Sequence, residues 1–135
     1  MYTIIETQIN SDFSKKLYSM FIGEWENMEV FESTKSGLSI PNPMVALANN
    51  QVIGGASFTR YQEPGSNNIV IWLNALYVRP ENRNQGIATE LIHASRGVAN
   101  SLYALTDVAD LYTKAGWNIV KTDKDGTIVK RVEEK

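Results

Sequence analysis

The sequence predicts an α/β fold, an α+β mixed sheet flanked by helices. Three observations carry this. Runs with strand character interleave with helical ones along the whole 135 residues. The almost uniformly apolar run Ile69–Val78 is followed, across a polar loop, by a helical stripe that begins at Ile87. The chain then closes on a hairpin pattern, 117–121 and 127–132, around Asp123-Lys124-Asp125-Gly126.

Taken in order, residues 2–8 alternate as a short first strand. Ser11 is placed to cap a helix whose apolar residues Phe13, Leu17, Met20 and Phe21 recur at helical spacing. That helix is expected to end near Gly23 or to continue past Trp25. The acidic stretch 24–32 reads as either a second helix or a mobile segment, and 33–43 as loop. Residues 44–48 and 52–61 read as strands joined at Asn49-Asn50, which tolerate the left-handed conformations of a hairpin turn. A second turn, 63–68, leads to the central strand 69–78, expected to be buried on both faces. Ile87, Leu91, Ala94 and Val98 form one stripe of the next helix, which Gly97 weakens near its end. Residues 101–106 make a short strand. Asp107 is expected to cap a last helix on which Val108, Leu111, Tyr112 and Ala115 share a face, and Gly116 stops it.

Bulk properties narrow the function. The length suits one domain, 1–135, with a hydrophobic core of its own, and no repeat or linker interrupts it. The chain has no cysteine, which excludes disulfides, thiolate metal sites and a cysteine nucleophile. A lone histidine, His93, leaves no basis for a histidine zinc site or a serine–histidine triad, and no metal is expected. His93 itself reads as a surface or packing residue. A net charge of −2 gives no support to a nucleic-acid partner. No apolar run approaches the ~20 residues of a membrane helix. The first residues lack a secretory pattern, so a cytoplasmic protein is expected.

The sharpest signal lies between Leu76 and Thr89. A strand ending Leu76-Tyr77-Val78 meets Arg79-Pro80, and Arg83-Asn84-Gln85-Gly86-Ile87-Ala88 leads into a helix. Backbone N–H groups at a helix start lack internal partners and sit at the positive end of its dipole, so such a turn can hold a phosphate. Gly86 offers no side chain to obstruct approach, and Arg83 adds a permanent forked charge. The pattern Arg83-x-x-Gly86-x-Ala88 after Leu76-Tyr77-Val78-x-Pro80 resembles the acetyl-CoA motif of the GCN5-related N-acetyltransferases, the GNAT superfamily, in its alanine variant. The order of elements resembles that fold from end to end. The resemblance implies a central, mostly antiparallel mixed sheet that splays between its fourth and fifth strands. It implies that acetyl-CoA is the cosubstrate, with main-chain amides of Asn84, Gln85, Gly86, Ile87, Ala88 and Thr89 receiving its pyrophosphate beside Arg83. The pantetheine arm would run along Leu76, Tyr77 and Val78, chiefly through the main chain of Leu76 and Val78. The Leu76 N–H would meet the oxyanion of the tetrahedral intermediate.

A second segment, Asp110-Leu111-Tyr112-Thr113-Lys114-Ala115-Gly116-Trp117, resembles the family's motif near its last helix, where a tyrosine often serves as general acid. The chemistry suits it, because a phenol can hydrogen-bond to or protonate the departing thiolate. Tyr112 is therefore the expected acid, and Lys114 reads as a solvated helix-end lysine. The base is not announced. Asn74 stands where many members carry a glutamate; Glu63 and Glu81 are alternatives, as is a water relayed through main-chain carbonyls. The acceptor is expected to be a small-molecule or peptide amine. Glu24, Trp25 and Asn74, with Glu26, Glu29 and Glu32 nearby, would frame a site suited to a cation. With no cysteine available, direct attack in a ternary complex is the expected route, in a monomer or homodimer. The alternative is a non-catalytic sensor or assembly module that binds acetyl-CoA or CoA. An unrelated nucleotide site fits less well, since the GxGxxG and GxxxxGKS spacings are missing.

Overall fold

A computed structural model describes residues 1–25 and 28–132. Strand β1 (Thr3–Glu6) is shorter than the sequence suggested. It leads to helix α1 (Asp12–Glu24), capped as expected by Ser11, whose hydroxyl accepts from the Ser14 N–H at 3.1 Å. Ser14, Leu17 and Phe21 form the buried stripe of α1, and Trp25 ends it in an extended conformation.

No second helix follows over 28–32. The Met28 carbonyl accepts from the Tyr18 hydroxyl at 2.9 Å, and Phe31 packs edge-on against Tyr18 and Phe21. The segment thus runs along α1, tied to the Tyr18 and Phe21 side chains rather than coiled into a helix of its own. Glu26, named among the acidic candidates, lies outside the described residues. The expected loop 33–43 contains a small hairpin, β2 (Thr34–Lys35) and β3 (Leu38–Ser39), turned by Ser36 and Gly37.

The main sheet comprises seven strands among the described residues, in spatial order β1-β4-β5-β6-β7-β9-β8. The remaining strands are β4 (Met44–Ala48), β5 (Gln51–Gln62), β6 (Ile69–Val78), β7 (Ser101–Thr106), β8 (Asn118–Asp123) and β9 (Gly126–Val132). Asn49 and Asn50 take positive φ in the β4–β5 turn, as their chemistry allows. Every neighbouring pair is antiparallel except β6 and β7, the fourth and fifth strands of this sheet along the chain. Those two are parallel and share a single register pair, Trp72 with Tyr103. Beyond it they diverge.

Helix α1 covers one face, with Leu17 and Phe21 against Val45, Val52 and Ala75. Helices α2 (Ile87–Ala94) and α3 (Ala109–Thr113) cover the other. There Ile87 and Leu91 meet Ala46, Ile53 and Val78, while Ile92, Tyr112 and Trp117 join Leu102 and Val129. The buried stripe of α2 is therefore Ile87, Leu91 and Ile92, and Val98 lies beyond the helix. Asp107 does not cap α3. Val108 holds that position and is exposed, its N–H bound instead to the Thr106 hydroxyl at 2.9 Å. No helix among the described residues is long and apolar enough to cross a membrane.

Gly55 shows how closely these layers approach. A β-carbon there would sit 2.5 Å from the Met44 carbonyl oxygen and 2.6 Å from Leu17 Cδ1. The oxygen belongs to a paired neighbouring strand and cannot swing away. Gly55→Ala should therefore cost about 3 kcal/mol as overpacking, lowering Tm by roughly 10 °C in thermal unfolding. A fall smaller than about 2 °C would mean that the β4–α1 contact yields easily.

Candidate active site

The opening between β6 and β7 comes from local register. Ser57 pairs with Ala75 and Phe58 with Leu73, which leaves Asn74 as an extra residue on β6. Asn74 is exposed, so the central strand is not buried throughout as its apolar run suggested. The Arg79 N–H donates to the Ile53 carbonyl at 2.9 Å. Antiparallel bonding alternates from there. Gly55 and Tyr77 exchange bonds, as do Ser57 and Ala75, whereas Leu76 and Val78 turn their main-chain groups toward the diverging side. Leu76 and Val78 are thus the positions where an extended ligand could add itself to the sheet. Tyr77, also expected there, has its main chain committed to Gly55.

At the end of β6 a short turn of 3-10 helix, Pro80–Asn82, delivers the chain to Gly86. Gly86 is the residue before α2, with φ of +82°, and Asn84 also lies in the left-handed region. The first helical bond runs from the Glu90 N–H to the Gly86 carbonyl at 3.0 Å. Among the described residues no side chain caps this helix, so its leading N–H groups, Ile87 to Thr89, point outward without intrahelical partners. They border a concavity of about 250 Å³ together with Val78, Arg83, Asn84 and Gly86. A β-carbon at Gly86 would meet no atom within 4 Å, so nothing crowds the approach. This cradle fits a diphosphate. Gln85 is exposed and does not border it.

Arg83 is held by contacts the sequence did not announce. Its Nε donates to the Val78 carbonyl at 2.8 Å, and its guanidinium lies 5.5 Å from the centre of the Tyr77 ring. It fastens the strand end to the loop and still borders the concavity. One acceptor of β6 is thereby taken, leaving the groups of Leu76 and the Val78 N–H for a ligand.

Where β6 and β7 part, a cleft of about 420 Å³ opens, bordered by Leu73 to Leu76 on one side and Leu105 to Val108 on the other. Tyr112 closes it from α3. Its ring is buried, packed edge-on to Trp117 at 5.1 Å, and burial pushes its phenol up to about 12. The phenol therefore keeps its proton across the physiological range. Its neighbour Leu111 borders the loop concavity, so two consecutive residues of one helix bridge the two hollows.

Glu24, Trp25 and Asn74, named from the sequence as acceptor candidates, all border the cleft. Trp25 is partly exposed, set edge-on to Phe21 and Tyr77. The structure adds two residues that sequence reasoning assigned elsewhere: Asp107, read as a cap, and Asp125, read as a turn residue. Pairing of Thr106 with Thr127 brings them together, a contact invisible in the linear chain. Among the described residues no group of acidic or histidine side chains is arranged to hold a metal. Glu32, Lys114 and His93 stand apart from the cleft.

The base candidates Glu63 and Glu81 are also elsewhere. The Tyr103 hydroxyl donates to Glu63 at 2.8 Å and holds its carboxyl below the usual range, at the β5–β6 turn. Glu81 is held low by its own backbone N–H and by Arg79, to which it is paired at 2.6 Å.

The family model described as an acetyltransferase (GNAT) domain matches residues 41–119, which contain the splayed strands, the loop and Tyr112. The chain belongs to the GNAT family. As a GNAT member it is an N-acetyltransferase of the acetyl-CoA-using class. Solved GNAT structures share its fold at low identity. An aminoglycoside acetyltransferase, meta-AAC0020, from an uncultured soil metagenomic sample is 22% identical, with TM-score 0.59 over 85% of this chain and 87% of that one. Arabidopsis thaliana Naa50, bound to a bisubstrate analogue, is 12% identical, with TM-score 0.64 over 96% and 97%. The PaiA N-acetyltransferase of Thermoplasma acidophilum, in complex with coenzyme A, is 16% identical, with TM-score 0.62 over 98% and 99%. No curated protein matches the sequence.

Proposed function

We propose that residues 1–135 act as one catalytic unit that transfers acetyl from acetyl-CoA to a primary amine by direct attack in a ternary complex. The observation that carries this reading is the splay of β6 from β7 beside an uncapped helix N-terminus. The N–H groups of Ile87, Ala88 and Thr89 receive the pyrophosphate, with Asn84 and Gly86 shaping the turn. Pantetheine extends along Leu76 and Val78, which brings the thioester to the cleft under Tyr112.

The neutral amine nitrogen attacks the thioester carbonyl and forms the C–N bond. The Leu76 N–H stabilises the oxyanion that develops. As the C–S bond breaks, the Tyr112 phenol supplies a proton to the departing thiolate. The amine's surplus proton leaves through water to the carboxylates at the cleft, Glu24, Asp107 or Asp125. Tyr112 recovers its proton from solvent before the next turnover.

Amine-dependent release of free thiol, with formation of the acetylated amine, tests the reading. CoA that binds tightly while no amine in a broad panel releases thiol would favour a sensor or assembly module instead. Arg83→Ala should weaken CoA about fivefold to tenfold by calorimetry, because it loosens the strand end and removes a charge from the cradle. Unchanged affinity would separate Arg83 from the phosphate site.

A further inference from the structure

The cleft does not end at the splay. It continues into a second hollow of about 570 Å³, and Leu73, Asn74 and Leu105 border both. Their chemistries differ. Around the first stand three carboxylates, Glu24, Asp107 and Asp125, and no lysine or arginine among the described lining residues. The second is walled by the rings of Tyr61 and Trp72 with Met28 and Ile128. Trp72 is fixed between the Tyr61 ring, edge-on at 6.3 Å, and the Tyr103 ring, tilted 31° at 5.2 Å. Lys35 holds its ammonium 5.8 Å from the Tyr61 ring centre, so that aromatic face already carries a cation. Glu29 is the one carboxylate among the described residues bordering this hollow.

Negative charge thus gathers where the thioester would lie, and aromatic and aliphatic carbon dominates farther out. On the acetyl-transfer reading above, we propose that the acceptor is an arylalkylamine-like molecule: one primary amine on a short aliphatic arm attached to an aromatic or apolar body. The ammonium is drawn in by the carboxylates and gives up a proton there. The body lies against Tyr61 and Trp72 and excludes water from their rings. A polycation fits less well, because its second ammonium would meet ring carbon and Lys35 in place of a second acidic cluster.

The test compares kcat/KM for phenethylamine, ethylamine and spermidine at saturating acetyl-CoA, followed by thiol release. Phenethylamine should exceed ethylamine by roughly tenfold or more and should also exceed spermidine. Tyr61→Ala removes one wall of the hollow from an exposed position, so the fold should tolerate it. It should lower the phenethylamine-to-ethylamine ratio by about threefold, and Trp72→Ala should lower it further. Spermidine ahead of phenethylamine, a ratio near unity, or a ratio unmoved by Tyr61→Ala would each overturn the acceptor assignment while leaving acetyl transfer intact. Acceptance of none of the three amines, nor of any other in a broad panel, with CoA still bound, would instead overturn transfer through this cleft and the acceptor assignment with it.

Discussion

Gly86→Glu should weaken CoA binding by on the order of a hundredfold or more while leaving the protein folded. Two effects act together. The residue at this position has φ of +82°, where a side chain costs roughly 1–2 kcal/mol in backbone strain. The new carboxylate also stands at the mouth of the cradle proposed above for the diphosphate. Two like charges about 4 Å apart near a protein surface repel by roughly 4 kcal/mol before salt screening. The fold itself should survive, since a β-carbon at Gly86 meets nothing within 4 Å. Gly86→Asn separates the causes, because asparagine tolerates the left-handed region and adds no charge. It should bind CoA better than the glutamate variant and less well than the parent. Calorimetry on both, with melting curves as the folding control, decides the matter. If Gly86→Glu binds CoA within about threefold of the parent, the helix start is not the diphosphate site.

The second large effect is expected at Tyr112. Tyr112→Phe should lower kcat by about a hundredfold or more, the usual size of a lost general acid, with the KM for acetyl-CoA nearly unchanged. Phenylalanine preserves the edge-on packing against Trp117, so the loss would fall on the hydroxyl. The pH dependence supplies a separate readout. Burial raises the phenol from 10.0 to about 12, which keeps it protonated through the range where a solvent-exposed tyrosine would ionise. No alkaline loss of kcat attributable to Tyr112 should therefore begin below about pH 11. Folding stability carries the same sign. The unfolded phenol ionises first, so the contribution of Tyr112 declines as pH rises from its ordinary value of 10.0 toward about 12. Equal losses of kcat and of CoA affinity in Tyr112→Phe would mark the residue as structural.

What could be read from the chain depended on whether a feature is contiguous. The cradle is built from residues 76–89 in one pass, so its strand, turn and helix start are legible from composition and spacing alone. Tyr112 stands out within one contiguous segment, 110–117, through its resemblance to the family's motif. Of the acidic half of the cleft, the sequence pointed to Glu24 and not to Asp107 or Asp125. Glu24 arrives from the end of α1, Asp107 from the end of β7 and Asp125 from the β8–β9 turn. Their assembly depends on strand pairing, which the linear sequence does not display. The extra residue at Asn74 escapes notice because a bulge is a relation between two strands, and only one of them was being read. Arg83 shows a subtler failure. Its charge pointed to the cradle it borders, yet its position is set by the Val78 carbonyl and the Tyr77 ring, neither of which charge alone points to.

The lone register pair between Trp72 and Tyr103 has a dynamic corollary. An interior strand of a seven-stranded sheet would ordinarily hide its amides from solvent. Here the Leu76 and Val78 amides, though mid-sheet, should take up deuterium as quickly as those along an outer border. Loading the protein with coenzyme should silence that uptake at these two amides, because the ligand's arm supplies the missing neighbour.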